Sequence, residues 1–247
     1  MKITVLGCSG SVPGPDSPAS SYLVESQGFR VLLDLGPGAF GALQRYSAPE
    51  QVDAIVISHL HADHFLDLAA MSTYLKYSPS PAGRRIPVIG PSAAQERLAL
   101  AYAGNRPDFD TSDIFEFAVS RDMDLGPFTA TFARTRHPIE TYAVRLAGER
   151  ESLTYSADTG PSEEVIELAR GTDMFLCEAS FAASEEFVAD LHLTGAQAGE
   201  HAARADVGRL VITHVPPWHS RDTAVTQALT TFGGPVVAAA ADDVFEV

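Results

Sequence analysis

Short apolar runs with strand-like spacing alternate along the chain with amphipathic stretches of helical period. Strands are predicted at Ile3–Leu6, Ser21–Val24, Arg30–Asp34, Ala54–Ile57, Ile86–Ile89, Phe115–Ala118, Phe128–Ala133, Thr141–Leu146, Leu153–Ser156, Met174–Cys177, Leu210–Thr213 and Val236–Ala239. Helix predictions carry start and stop signals. Ser92 with Gln95 forms a capping-box pattern ahead of Ala93–Ala103, and Gly104 is the stop; Thr194 with Gln197 does the same for Ala196–Ala205. Pro161-Ser162 opens Glu163–Arg170 before Gly171, and Ser220 caps a helix running to about Thr231. Phe65–Tyr77 places Leu68, Met71 and Leu75 on one stripe, which reads as core packing. Ser78–Gly83 is a loop by composition. No linker, repeat or low-complexity tract interrupts the alternation, so one domain over residues 1–247 is expected.

Composition narrows this picture. A chain of 247 residues that is 45% hydrophobic can bury a large core. Met1-Lys2 leads straight into Ile3-Thr4-Val5-Leu6, an apolar run too short for a signal core, and no stretch approaches the ~20 apolar residues of a membrane span. Cys8 and Cys177 make no disulfide framework and read as buried small residues, so a cytoplasmic location is expected. The net charge of −15 argues against an extended nucleic-acid footprint, which rests on Lys and Arg neutralising phosphates. A small anionic substrate is still allowed, because bound cations reverse a local field.

Several predicted strands lead into a residue able to bind metal. Ala54–Ile57 leads to Ser58-His59-Leu60-His61-Ala62-Asp63-His64, Phe128–Ala133 leads to His137, Leu153–Ser156 to Asp158, and Leu210–Thr213 to His214. Residues two apart on an extended segment point the same way, so His59 and His61 would reach one cation. A turn at Ala62 would aim Asp63 and His64 at a second. Neutral imidazole and carboxylate suit zinc and similar ions.

The order His59-x-His61-x-Asp63-His64, His137, Asp158, His214 resembles the metallo-β-lactamase superfamily. The resemblance implies an α/β fold, a four-layer αβ/βα sandwich, with a dinuclear site at the sheet edges. It places His59, His61 and His137 on one metal, Asp63, His64 and His214 on the other, and Asp158 between them. The cofactor implied is two divalent metal ions, zinc in the first place and manganese as the alternative. Asp34, in Leu32-Leu33-Asp34-Leu35-Gly36, matches the family's supporting aspartate. Two dications lower the pKa of water toward ~7 and neutralise charge on a substrate's oxygens, and Asp63 could in addition take a proton from the attacking water.

Asp158 stands where the zinc β-lactamases usually carry cysteine, which argues against antibiotic hydrolysis. Glyoxalase II appends a helical domain after its last ligands, and only 33 residues follow His214. Phe175–Phe181, with Glu178, and His192–Ala198 resemble two segments of the tRNA 3′-processing nucleases, where the Glu orients the His. His192 would then touch a phosphate oxygen or protonate the leaving alkoxide, worth ~10²–10⁴ in rate. The protruding arm of those nucleases is missing, because residues 138–153 read as a plain hairpin. Ile3–Ser11, Gly14–Ser20, Ser58–His64 with Leu66-Asp67-Leu68, Phe175–Ser180 and His214–Trp218 are similar to the bacterial atypical class II cyclic-nucleotide phosphodiesterases. That likeness implies hydrolysis of a small anionic phosphodiester, a 3′,5′-cyclic nucleotide with cyclic AMP foremost, by a cytoplasmic homodimer. The alternatives are a ribonuclease Z-like RNA phosphodiesterase, a lactonase or thioesterase, and a metal-binding sensor without turnover. Secondary candidates are Ser9 and Gly10 as phosphate-binding N–H groups, Trp218 as a base-stacking ring, and Tyr74 and Tyr77 as pocket or dimer-surface residues. His201 and His219 have no partner legible in the sequence.

Overall fold

Alternating apolar positions on both faces of each strand produce two packed sheets. The computed structural model describes residues 1–79, 83–104, 110–182 and 190–247. The first sheet is built from β1 (Lys2–Gly7), β2 (Ser21–Ser26), β3 (Phe29–Leu33), β4 (Ala54–Val56), β5 (Ile86–Gly90) and β6 (Phe115–Val119). The second holds β7 (Met123–Leu125), β8 (Phe128–Arg134), β9 (Tyr142–Ala147), β10 (Ser152–Tyr155), β11 (Met174–Glu178), β12 (Leu210–Thr213) and β13 (Val236–Ala238). The chain then returns to the first sheet as β14 (Val244–Glu246). The strand orders are β14-β1-β2-β3-β4-β5-β6 and β13-β12-β11-β10-β9-β8-β7.

Period-two alternation sorts the side chains. Val31 and Leu33 of β3, like Tyr22 and Val24 of β2, face the layer between the sheets, where they meet Val144, Tyr155 and Leu176. Leu23, Leu32 and Ile55 face outward against helices. These helices are α1 (Ala39–Leu43), α2 (Ala62–Phe65), α3 (Asp67–Tyr77) and α4 (Ala94–Ala103). On the far side α5 (Glu163–Ala169), α6 (Gly195–Ala205) and α7 (Arg221–Ala228) cover Phe175 and Ile212. The four layers run helix, sheet, sheet, helix, as the resemblance implied. Every predicted strand is present within a residue or two at each end. The three-residue strands β7 and β14, the short α1 and a 3₁₀ turn at Pro49–Gln51 carry too few residues for a periodic signal.

Two helix predictions need correction. Ser92 does not cap α4: Ala93 is the N-cap, and the Ser92 hydroxyl donates instead to Glu140 Oε2 at 2.8 Å, a charged acceptor. The predicted helix Phe65–Tyr77 starts earlier and is split into α2 and α3. Asp67 N donates to Leu35 O at 3.1 Å, and Leu35 N donates to His64 O at 2.7 Å, so the loop after β3 takes the bonds a continuous helix would use. The other caps stand as read: Ser162 accepts from Val165 N, Ser220 from Thr223 N, and Thr194 and Gln197 complete a capping box. Within the predicted loop Ser78–Gly83, residues 80–82 lie outside those described. No helix among the described residues is long and apolar enough to cross a membrane.

His201 does have partners. Its Nε2 accepts from Ser162 N at 3.1 Å, and its Nδ1 donates to Gln197 O at 2.8 Å, so it ties α6 to the start of α5. Burial holds the imidazole below the ordinary histidine value, with the charges of Glu200, Arg204 and Glu163 close by. The folded chain therefore resists a proton that the unfolded chain takes up below about pH 6.5. Stability from this group is complete above that pH and declines as pH falls. The melting temperature of the parent protein should drop more steeply than that of His201→Gln between about pH 7.5 and 5.5; parallel profiles would contradict the assignment.

Candidate metal centre

The parallel strands β3, β4, β10, β11 and β12 all end at one edge, where the two sheets meet. Loops leaving these carboxyl ends carry Asp34, His59–His64, Asp158 and His214; Glu178 is the last residue of β11, and His137 follows β8. Asp34, Ala157 and His214 adopt positive φ of 59°, 52° and 55°. These are strained values for residues other than glycine, held where the chain must turn sharply off a strand. His61 is the N-cap of α2, so the turn begins at Ala62 and swings Asp63 and His64 away from His59. Gly36 permits the approach: a Cβ there would lie 2.0 Å from the Asp63 carbonyl oxygen.

Four of the rings are oriented from outside. His64 Nδ1 donates to Asp34 Oδ2 at 2.7 Å, and His137 Nδ1 donates to Leu191 O at 3.0 Å. Ser58 Oγ gives its proton to Asp34 Oδ2 at 2.8 Å, so it accepts from His59 Nδ1 at 3.0 Å. Ser180 Oγ gives its proton to His214 O at 2.8 Å and accepts from His214 Nδ1 at 2.7 Å. The inward nitrogens therefore present lone pairs. His61 turns its Nδ1 inward, 3.1 Å from His59 Nε2 and 3.0 Å from His137 Nε2. His64 Nε2 lies 3.0 Å from His214 Nε2, and Asp63 Oδ2 lies 3.1 Å from the latter.

Asp158 stands between the two groups. Its Oδ2 is 3.6 Å from His59 Nε2, and its Oδ1 is 3.3 Å from His64 Nε2 and 3.5 Å from His214 Nε2. The residue is 2% exposed, and Oδ1 is buried with no close hydrogen-bond partner among the described residues. An ionised oxygen so placed, beside His64 and His214, suits a bound cation. Burial disfavours the Asp158 charge, but His214, His64 and His59 outweigh it and hold the carboxyl well below its usual range. Burial likewise lowers His59, His61 and His137, keeping them neutral as metal binding requires. His64 is buried too, yet Asp158 and Asp34 raise it well above the ordinary value, and the pull that favours a proton there also favours a metal ion. His59, His61, His137 and Asp158 form one group able to hold a metal, Asp63, His64 and His214 form a second, and Asp158, His192 and His214 form a third that overlaps both. The residues fit the cofactor.

Glu178 and His192 meet beside this cluster. Glu178 Oε1 accepts from Thr159 N at 2.8 Å and from His192 Nδ1 at 2.9 Å; Oε2 accepts from Ser180 N at 3.1 Å and Leu193 N at 3.4 Å. The fully buried carboxylate is thus fixed by the backbone and in turn fixes the ring. Burial alone would lower the His192 pKa, but Glu178 raises it to about 9.

Some candidates fall elsewhere. Ser9 N donates to Pro18 O and Gly10 N to Val215 O, so neither N–H can receive a phosphate. Tyr74 packs against Phe40 with ring centres 5.7 Å apart, while Tyr77 and Trp218 are exposed. His219 Nδ1 donates to Ser180 O at 3.0 Å. Ser58, Ser180 and Tyr155, whose hydroxyl donates to Asp34 Oδ2 at 2.8 Å, join the site as further supporting residues. Of these, only Ser58 carries a signal in the sequence, its place beside His59.

The profile of the family described as "Beta-lactamase superfamily domain" matches residues 29–215. An uncharacterized protein of Mycobacterium tuberculosis is 45% identical over 254 residues, spanning 100% of this chain and 92% of that one. "Probable metallo-hydrolase YhfI" of Bacillus subtilis is 31% identical over the full length of both chains. Its crystal structure superimposes with a TM-score of 0.88, covering 100% of this chain and 99% of that chain. A protein named ribonuclease Z from Methanopyrus kandleri is 27% identical over 96% of this chain and 94% of its own.

Asp34 gathers the N–H and O–H of Ser58 with His64 and Tyr155, so its replacement should loosen both ligand loops at once. Asp34→Asn should bind zinc about 10–100-fold more weakly in a competitive chelator titration. Unchanged affinity in a folded variant would refute the role.

Proposed function

The chain belongs to the beta-lactamase superfamily, and from that premise we propose that it is a phosphodiesterase that hydrolyses 3′,5′-cyclic nucleotides, cyclic AMP foremost, to 5′-monophosphates. His59, His61 and His137 would hold one divalent cation, Asp63, His64 and His214 a second, and Asp158 both; zinc is the first choice and manganese the alternative. When bound, the pair acidifies water and neutralises the phosphate's non-bridging oxygens.

The observation that carries this reading is the Glu178–His192 pair at the rim of the cluster, at 2.9 Å. Hydrolysis of a diester forms a bond from water oxygen to phosphorus and breaks the bond to O3′, which leaves as an alkoxide. His192, with Nδ1 held by Glu178 and its pKa raised to about 9, keeps a proton at neutral pH and offers it from Nε2 to that oxygen. Glu178 acts through the ring and is a positioning residue. Asp63, kept ionised by His214 and His64 against the effect of burial, would orient the attacking water, whose proton passes to solvent as the cations acidify it. An acyl transfer would have less need of this acid, since a lactone or thioester leaving group departs more readily than a sugar alkoxide.

The ribonuclease Z named among the relatives supports phosphodiester chemistry. Against an RNA substrate stand the net charge of −15 and the hairpin of β9 and β10, which joins His137 to Asp158 with no inserted arm. Cyclic AMP and precursor tRNA compared under identical conditions test the choice. The expected product is 5′-AMP; cleavage of the RNA alone would overturn the reading. His192→Ala should lower kcat on cyclic AMP by ~10²–10⁴-fold with bound metal unchanged, and Glu178→Gln should lower it less. Full activity in His192→Ala would remove His192 as the acid.

A further inference from the structure

A cavity of about 420 Å³ opens against His61. Leu60, Phe65 and Leu66 line it from the segment around α2, and Leu100 and Arg97 line it from α4. Leu66 and Leu100 are 37% and 47% exposed, so this apolar surface faces solvent. The Arg97 guanidinium makes no hydrogen bond or ion pair with any described residue. Arg97 is exposed, and it lines the same cavity as His61, so its donors are open to a ligand seated there.

The volume suits a small ligand, and apolar walls with one directional polar group are the usual composition of such sites. His61 is a shared wall: its Nδ1 faces His137 Nε2 at 3.0 Å, while its ring borders the cavity. A substrate whose phosphate lies at the cluster would project its other end here. The lining side chains include no carboxylate or amide, so Arg97 supplies donors and the walls supply apolar area. A purine matches this: flat faces to pack against Leu66 and Leu100, and at N7 an acceptor common to adenine and guanine. A pyrimidine has no N7. A chain of phosphates would match Arg97 but leave the apolar walls in contact with charge.

We infer that this cavity is the base subsite for the cyclic nucleotide and that Arg97 selects purines by donating to N7. The inference rests on the phosphodiesterase reading above. Steady-state kinetics on the metal-loaded full chain test it with cyclic AMP, its 7-deaza analogue, cyclic CMP and the base-free diester methyl p-nitrophenyl phosphate. The parent protein should prefer cyclic AMP to the 7-deaza analogue and to cyclic CMP by about tenfold in kcat/KM, carried by KM, the scale of one charge-assisted hydrogen bond. Arg97→Ala should lose that preference, with the KM for cyclic AMP rising about tenfold and that for the 7-deaza analogue steady. Leu100→Ser should raise KM for both purine substrates more than for the base-free diester. If Arg97→Ala weakens the base-free diester as much as cyclic AMP, Arg97 is a general anion attractor and the inference falls. It also falls, alone, if the parent hydrolyses cyclic AMP and the variant's KM is unchanged. A parent protein that cleaves methyl p-nitrophenyl phosphate but neither binds nor hydrolyses cyclic AMP overturns the inference together with its premise.

Discussion

A buried carboxylate oxygen without a hydrogen bond, surrounded by imidazole lone pairs, is the constraint around which the chain is arranged. Asp158 Oδ1 accepts no close hydrogen bond among the described residues, and only His64 Nε2 and His214 Nε2 approach it, at 3.3 and 3.5 Å. An isolated charge taken out of water costs several kcal/mol even after relaxation. The surrounding rings cannot relieve it by swinging round, because Asp34, Ser58, Leu191 and Ser180 hold four of their outer nitrogens. What remains is a geometry that a cation satisfies and that little else does.

The sandwich exists in this form to hold that geometry. Its loops accept left-handed backbone at Asp34, Ala157 and His214, at a cost of about 1–3 kcal/mol each. They are fixed by rigid strands behind them and by tight contacts such as Gly36 against Asp63. The break between α2 and α3 belongs to the same arrangement. The bonds that Leu35 makes with His64 and Asp67 end one helix early and lock the second half of the ligand motif to the strand that carries Asp34. Second-layer groups thus set which nitrogen of each ring faces inward, and with it the affinity for metal.

Much of this was legible in the residues. Period-two alternation located the long strands, and ligand-type residues just beyond four of them placed the site at one sheet edge. What stayed hidden depends on distant partners. Ser92 with Gln95 satisfies a local capping pattern, yet Glu140, 48 residues away in the chain, takes the Ser92 hydroxyl. His201 looks unpartnered until α5 lies beside α6 and Ser162 N reaches its ring. Ser180 stands near Glu178 in sequence, but its bond to His214 spans 34 residues and two strands. Arg97 is one surface cation among many until α4 is laid beside α2 and the cavity next to His61 appears.

The centre is tested most directly by anomalous diffraction at the zinc edge from crystals grown with zinc. Two peaks are expected, one among His59, His61 and His137 and one among Asp63, His64 and His214, with the Asp158 carboxylate between them. A single peak, or zinc bound away from Asp158, would contradict the shared dinuclear centre.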